Sequence, residues 1–497
     1  MSKKAKKKST DSSACKKWVP YKYQEEAVEF CVTRGGAGVF ADPGLGKTTI
    51  MAAVYKILKR KKMVNRCLVI APIQACYNVW SKSHNGSDFI KWSDFKDLKI
   101  NLIHSAKKDE AYDDDADIYV INPEGLNYFV EIVIKESKDG KTRREFRLRD
   151  KFRKGKLKVD MLIVDECTDF KHYDTNRSRR LKILLPLFKR RYILTGTPAP
   201  NGLLDLFGQI YVIDQGATLG GYITHYKRKF FEAYGYGNYS WRPLPGAKEL
   251  IYKALSKVVI RIDGDGEVKL PPRIDRQVYL EMDLKTRAIY TEMEKEFILE
   301  LQSGNVTAAN SAVATGKLRQ IANGGIYIDQ EKPEEKRKTQ HLHQVKVEAT
   351  QKLVEELGGK PALVAYEFVQ DLERLVKAFP DAPVLGSGTS RLKSQQIQRD
   401  WNAGKISVLL CQPQSMARGL NLQATGRACI WHSLTWNYEH YDQFNRRIWR
   451  NGQKEKIYVY QLIMRNTVDH VVFETLNTKK STQDQLLDAL KKRYLLK

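Results

Sequence analysis

The 497-residue sequence predicts an α/β fold made of two parallel-sheet blocks with helical segments between them. Three observations lead there. Strand-like apolar runs alternate with helical periods over residues 19–215, and the alternation returns over 346–475. The runs are short and nearly continuous in apolar residues, as parallel strands covered on both faces are. A glycine-rich turn joins the first of these runs to a helical stretch.

Taken in order, residues 1–18 are basic, carry almost nothing apolar, and read as a disordered tail. No apolar stretch follows the lysines, so the tail is not expected to be a secretory signal. The first block, 19–215, takes its strands from GAGVFAD (36–42), CLVIAP (67–72), IYVIN (118–122), MLIVDE (161–166) and RYILTG (191–196). Its first helix sets Ile50, Val54, Ile57 and Leu58 at helical spacing. KTRREFRLRDKFRKGKLK (141–158) holds ten Lys or Arg against two acids and reads as a charged insertion between strands. It is a nucleic-acid contact or a solvated hairpin, with the contact preferred.

Residues 216–345 are expected to form helical insertions and an interlobe linker. LKTRAIYTEMEKEFILELQ (284–302) is a helix and DQEKPEEKRKTQ (329–340) a polar connection. The second block, 346–475, takes strands from PALVAYEF, ISVLLCQ, ACIWHS and KIYVYQLI. Residues 476–497 end the chain as an amphipathic helix.

Composition narrows the function. Lys plus Arg number 85 and Asp plus Glu 58, a formal charge of +27, whose field attracts a polyanion. A hydrophobic fraction of 42% excludes a wholly disordered chain. No apolar run approaches the ~18 residues of a membrane-spanning helix. The seven cysteines are scattered and form no C-x-x-C pair, and the nine histidines show no zinc spacing with them. This points away from disulfides and structural zinc, toward a reducing compartment.

Four segments carry chemistry. In ADPGLGKT (41–48), Pro43, Gly44, Leu45 and Gly46 form a turn whose backbone N–H groups can converge on phosphate. Lys47 would reach the β- and γ-phosphates and Thr48 would ligate Mg²⁺, with Thr49 beside them. The usual G-x-x-x-x-G-K-[ST] pattern is broken at its first position by Ala41. In MLIVDE, Asp165 and Glu166 end an apolar strand, where carboxylates sit at the mouth of a parallel sheet. Asp165 would hold Mg²⁺, and Glu166 would orient or deprotonate water. ILTGTPAPNG (193–202) sets Thr195 and Thr197 around Gly196 at another strand end. In QFNRRIWRNGQ (443–453), Arg447 and Arg450 are spaced i, i+3 on one face of a helix, suited to charge developing on a phosphoryl group. Arg446 is a candidate for facing nucleic acid.

Together these segments resemble the Swi/Snf-type DNA-dependent ATPases and translocases of helicase superfamily two, over about residues 19–490. PYKYQEEAV (20–28) is similar to the adenine-reading motif, with Gln24 as reader. LVIAPIQACYNVW (68–80) resembles a DNA-tracking motif, and LRQIANGG (318–325) the family's segment between lobes. SMARGLNLQ (415–423) and WNYEHYDQFNRRIWRNGQ (436–453) resemble the last two motifs.

The resemblance implies two RecA-like lobes with ATP and Mg²⁺ in the cleft between them, and Arg447 and Arg450 reaching across. It places Gly419 and Asn421 at the nucleotide, and Pro72, Asn122, Ser415 and Trp436 at double-stranded DNA. There are departures. The family usually has an acid where Arg446 stands, and a glycine-richer loop at Met416–Gly419. No bromodomain-like, chromodomain-like or zinc module is recognisable, so a small viral or bacterial type fits better than a nucleosome remodeller.

The expected function is ATP-dependent translocation on duplex DNA, largely independent of sequence, in replication, repair, recombination or remodelling of protein–DNA complexes. The expected protein is a monomer with possible further nucleoprotein partners and no membrane association. Its expected setting is cytoplasmic or nucleoid-associated: host cytoplasm for a viral member, nucleus for a eukaryotic one. The alternatives are a strand-separating or branch-migrating helicase, an RNA-directed enzyme, and a non-enzymatic binder with a relict nucleotide site.

Overall fold

The computed structural model describes residues 16–82, 87–136, 142–196, 198–199, 202–234, 240–262, 270–302, 308–327, 339–416, 420–450 and 452–477. Most of the expected tail, the linker through residue 338 and the expected C-terminal helix from residue 478 lie outside these residues. The end of the tail does not hang free. The Trp18 ring packs 5.3 Å from Phe95, and its backbone N–H donates to Asp94 Oδ2 at 2.8 Å.

The first lobe holds β1 (Gly36–Ala41), β2 (Cys67–Ile70), β3 (Ile100–Leu102), β4 (Ile118–Ile121), β5 (Val130–Glu136), β6 (Thr142–Leu148), β7 (Met161–Asp165), β8 (Arg190–Thr195), β9 (Phe231–Tyr234), β10 (Ser240–Pro243) and β11 (Val259–Ile262). Seven of these form one parallel sheet in the order β11-β1-β8-β7-β2-β4-β3. The second lobe holds β12 (Arg273–Leu280), β13 (Gly325–Tyr327), β14 (Thr339–His341), β15 (Ala362–Ala365), β16 (Val384–Leu385), β17 (Val408–Cys411), β18 (Ala428–Trp431) and β19 (Ile457–Met464). Its parallel sheet has six strands in the order β12-β19-β18-β15-β17-β16.

Burial on both faces explains the continuous apolar runs. Along β2, Leu68 and Ile70 join one core layer while Cys67 and Val69 join the other. In β7, Leu162 and Val164 face one way, Met161 and Ile163 the other. In β15, Leu363 and Ala365 oppose Ala362 and Val364. Period-two alternation in direction therefore leaves no polar position to break the run.

The stretch expected to be helical gives one strand to each sheet. β11 pairs with β1 at the edge of the first sheet, and β12 pairs along its full length with β19 at the edge of the second. The helix Leu284–Gln302 stands where its periodicity placed it. The charged insertion is an antiparallel hairpin of β5 and β6, rooted on packed rings of Tyr112, Tyr128, Phe129 and Phe152. The six described cysteines are buried and free of disulfides.

Candidate active site

All strands of each parallel sheet end at one edge, so the loops that follow them converge. β1 ends at Ala41, the chain turns through Asp42–Gly46, and a helix begins at Lys47 and runs to Arg60. Gly44 and Gly46 take φ of 91° and 76°. At Gly46 a Cβ would also lie 2.4 Å from Gln24 Nε2 and 2.8 Å from Thr49 Oγ1, so only glycine fits. Gln24 Nε2 donates to the Leu45 carbonyl at 3.1 Å, while its Oε1 accepts from Tyr21 N–H at 3.1 Å. Leu45 turns its side chain into the core. Lys47 Nζ donates to the Ala41 carbonyl at 2.7 Å. Burial pulls the Lys47 amine below its ordinary pKa, and the Glu166 and Asp165 carboxylates oppose that pull.

β7 carries Asp165 to the same edge. Its Oδ2 accepts from Trp80 Nε1 at 2.7 Å and its Oδ1 from Glu166 N–H at 3.1 Å. Burial raises the Asp165 carboxyl, while the Trp80 hydrogen bond and the Lys47 charge favour the ionised form. Glu166 is held in the left-handed region at φ 51°, a strained setting for a non-glycine residue. Thr195 is fully buried at the end of β8, and Gly196 follows against the loop, where a Cβ would meet Pro43 Cδ at 3.1 Å. Thr197 lies outside the described residues.

The second lobe contributes the two arginines, though not from a helix face. The helix Tyr438–Asn445 ends before them, and Arg447–Trp449 continue as a turn whose N–H groups donate to the Phe444 and Asn445 carbonyls. Arg447 Nη1 donates to the Leu420 carbonyl at 3.1 Å, and Arg450 Nη1 donates to Asn421 Oδ1. Burial, helped by the charge of Arg450, brings Arg447 down to about 10; burial lowers Arg450 as well. Arg446 does not face outward to nucleic acid. It spans the lobes, 3.3 Å from Asp42 Oδ2 and 2.8 Å from Asp442 Oδ2. Asn78 and Gln395 also meet across the lobes at 3.2 Å, and the Arg391 guanidinium lies 3.7 Å from the Tyr77 ring centroid.

One cleft of about 720 Å³ gathers most of these groups. From the first lobe it is lined by Gln24, Pro43, Gly44, Gly46, Lys47, Thr48, Thr49, Asp165 and Glu166; from the second by Asn421, Arg447 and Arg450. Leu45 takes part only through its carbonyl. Gly419 lies outside the described residues. Pro72, Asn122, Ser415 and Trp436 do not line the cleft. Asn122 directly follows β4 and Pro72 lies two residues beyond the end of β2, and Ser415 and Trp436 lie a few residues beyond β17 and β18. These four therefore sit at the strand-end edges of the two sheets.

Trp80 and Asp88 escaped the sequence reading. Trp80 ends the segment 68–80, but nothing local ties it to a carboxylate 85 residues later. Asp88 lines the cleft and accepts from Trp92 Nε1 at 3.2 Å; burial raises its carboxyl, against the pull of Lys91 and Arg450.

Chemically, the cleft offers convergent backbone N–H groups and a lysine for anions, two carboxylates, a hydroxyl and two guanidinium groups from the opposite wall. The family model of the SNF2-related domain matches residues 23–325, and that of the helicase conserved C-terminal domain matches 345–452. The chain belongs to the SNF2-related family.

Putative protein p41 of Acyrthosiphon pisum secondary endosymbiont phage 1 is 31% identical over 495 residues, covering 96% of this SNF2-related chain and 100% of the phage protein. The DNA repair and recombination protein RAD54-like of Drosophila pseudoobscura pseudoobscura is 22% identical over 94% of this chain. The alignment spans 63% of that relative's length. Among solved structures, the Sulfolobus solfataricus SWI2/SNF2 ATPase core in complex with double-stranded DNA aligns at a TM-score of 0.41 and 20% identity, covering 95% of this chain and 93% of that one.

Proposed function

We propose that this SNF2-related chain is a DNA-stimulated ATPase that translocates along duplex DNA. The observation that carries this reading is the shared cleft, where Lys47, Asp165 and Glu166 of one lobe face Arg447 and Arg450 of the other. A triphosphate bound there touches both lobes, so binding favours closure and hydrolysis favours release.

In this reading Gln24 recognises the adenine, and the loop Pro43–Gly46 with Lys47 and Thr49 cradles the phosphates. Glu166 orients or deprotonates the attacking water. Arg447 and Arg450, anchored on Leu420 and Asn421, stabilise charge on the transferring phosphoryl group. Thr48 and Asp165 offer a hydroxyl and a carboxylate, the hard oxygen donors that suit Mg²⁺ alongside phosphate oxygens and water. Bound there, the ion would neutralise phosphate charge. Pro72 and Asn122 on one lobe and Ser415 and Trp436 on the other contact the DNA, mostly through its backbone, which gives little sequence preference. Closure and reopening then move one grip relative to the other.

The test is phosphate release with and without duplex DNA. The wild-type chain is expected to be stimulated by duplex more than by single strands or RNA. Lys47→Ala and Glu166→Gln are expected to abolish the stimulated rate with the fold intact by circular dichroism. Turnover that survives either change overturns the assigned site. Displacement of a third strand from a triplex, without opening of a plain fork, separates translocation from unwinding.

A further inference from the structure

The β5–β6 hairpin contributes no residue to the cleft, and the sequence alone leaves it between a nucleic-acid contact and a solvated hairpin. It leaves the sheet a few residues after Asn122 and returns to β7, so its base lies beside the edge where the first lobe's DNA contacts are placed. Over 130–136 and 142–158 it carries ten Lys or Arg against four acids, and the neighbouring helix Asn176–Leu184 carries four against none. We propose that the outer half of this hairpin, together with Arg179, grips the phosphate backbone of duplex DNA. The proposal rests on the duplex reading above and extends that footprint to a surface the motifs do not include.

The strand register sorts the charges. One face carries the rungs Glu131–Arg147, Val133–Glu145 and Lys135–Arg143. Arg147 pairs with Glu131 at 2.8 Å, and Lys135 pairs with Glu145. These four charges neutralise one another, which leaves Arg143 as the surplus cation of that face. The other face carries Val130–Leu148 and Ile132–Phe146, then Ile134–Arg144 and, at the outer end, Glu136–Thr142. Val130 is buried, and Phe146 and Leu148 pack on the first-lobe core. That anchors the inner half and leaves Arg144 and the 67%-exposed Ile134 projecting.

Arg179 closes the arrangement. It is exposed on the neighbouring helix, and its guanidinium lies 6.0 Å from the Phe146 ring centroid, on the same face as Arg144. Among the described residues Arg143, Arg144 and Arg179 form no ion pair within 4 Å; Arg143 acts on Glu145 only as the weakest of the cations that lower its carboxyl, after Lys135 and Arg147. Guanidinium groups suit phosphate because they donate in a planar fork and stay charged. A rooted hairpin also holds them in place, so little ordering is needed on binding.

The experiment measures duplex affinity against salt for the wild-type chain and for Arg143→Ala/Arg144→Ala/Arg179→Ala. If three phosphate contacts are lost, the slope of log affinity against log salt becomes shallower by about 2–3, and affinity at 0.1 M salt falls about 10-fold or more. DNA-free hydrolysis stays unchanged, since none of the three lines the cleft. An unchanged slope overturns the proposal and leaves the translocase reading standing. A loss confined to forked DNA overturns it in favour of a strand-separating wedge. A wild-type chain that binds no duplex at any salt overturns both readings.

Discussion

The two lobes share an architecture and place their buried charge differently. In the first lobe Lys47 and Asp165, both half-buried, stand at the cleft, and the few buried polar side chains elsewhere, such as Gln209 and Asp205, lie beside the strand ends rather than in one connected network. The second lobe keeps a polar network in its interior. Lys346, fully buried, donates to Asp469 Oδ2 and Asn323 Oδ1 at 2.7 Å each. Arg374 donates to Asp371 at 3.0 Å and to the Asn323 and His343 carbonyls at 2.7 and 3.0 Å. Ser433 and Asn323 donate to the same Asp371 carboxylate.

The network joins the end of the LRQIANGG segment to three helices and to the loop after β18. Burying such charges costs solvation that their pairing only partly offsets. The network ties the loop after β18, through Ser433, to Asn323 and Asp371. Charge in the first lobe thus lines the cleft, and in the second it ties interior elements to one another.

Four substitutions break or sharpen that comparison. The largest effect is expected from Arg450→Ala. If it acts across the cleft on the phosphoryl group, stimulated kcat falls on the order of 10³-fold or more while the melting temperature stays put. Next is Lys346→Met, which strands Asp469 without its cation and costs about 3–5 kcal/mol in chemical denaturation. Lys346→Met/Asp469→Leu is expected to recover most of that loss, because both charges are then gone; no recovery argues against the pair. Trp80→Phe removes the neutral donor to Asp165. A hydrogen bond to a charged group is worth about 1.5–3 kcal/mol, so kcat falls about 10- to 100-fold with the KM for ATP little changed. The smallest effect is expected from Arg446→Ala. Its pair with Asp42 is partly exposed, and such a pair contributes about 1 kcal/mol or less. Its loss shows as a several-fold rise in KM for ATP, reduced at high salt.

The local geometry of the candidate site was legible because it is written in contiguous residues. ADPGLGKT encodes a strand end, a turn that only glycine can make and a helix start, all within eight positions. MLIVDE encodes a buried strand and the carboxylates at its mouth. The edge strands were not legible for a related reason. β12 leaves much of its length half-buried or exposed and reads RIDRQVYL, so it lacks the continuous apolar signature of a central strand. β11 is four residues long and contains Arg261. The arginine turn was mistaken for a helix face because i, i+3 spacing also fits the tighter turns that follow a helix end.

By itself the sequence determined the α/β class, the central strands, the glycine turn before the first helix and the acidic strand end, since each depends on neighbours within a few residues. Only the tertiary structure decided which distant groups meet. Trp80 reaches Asp165, Arg446 reaches Asp42, and Lys47 shares one cleft with Arg447 and Arg450. Those meetings depend on strand order and on how the two sheets face each other. Both are set by packing summed over whole lobes, which no local pattern of residues records.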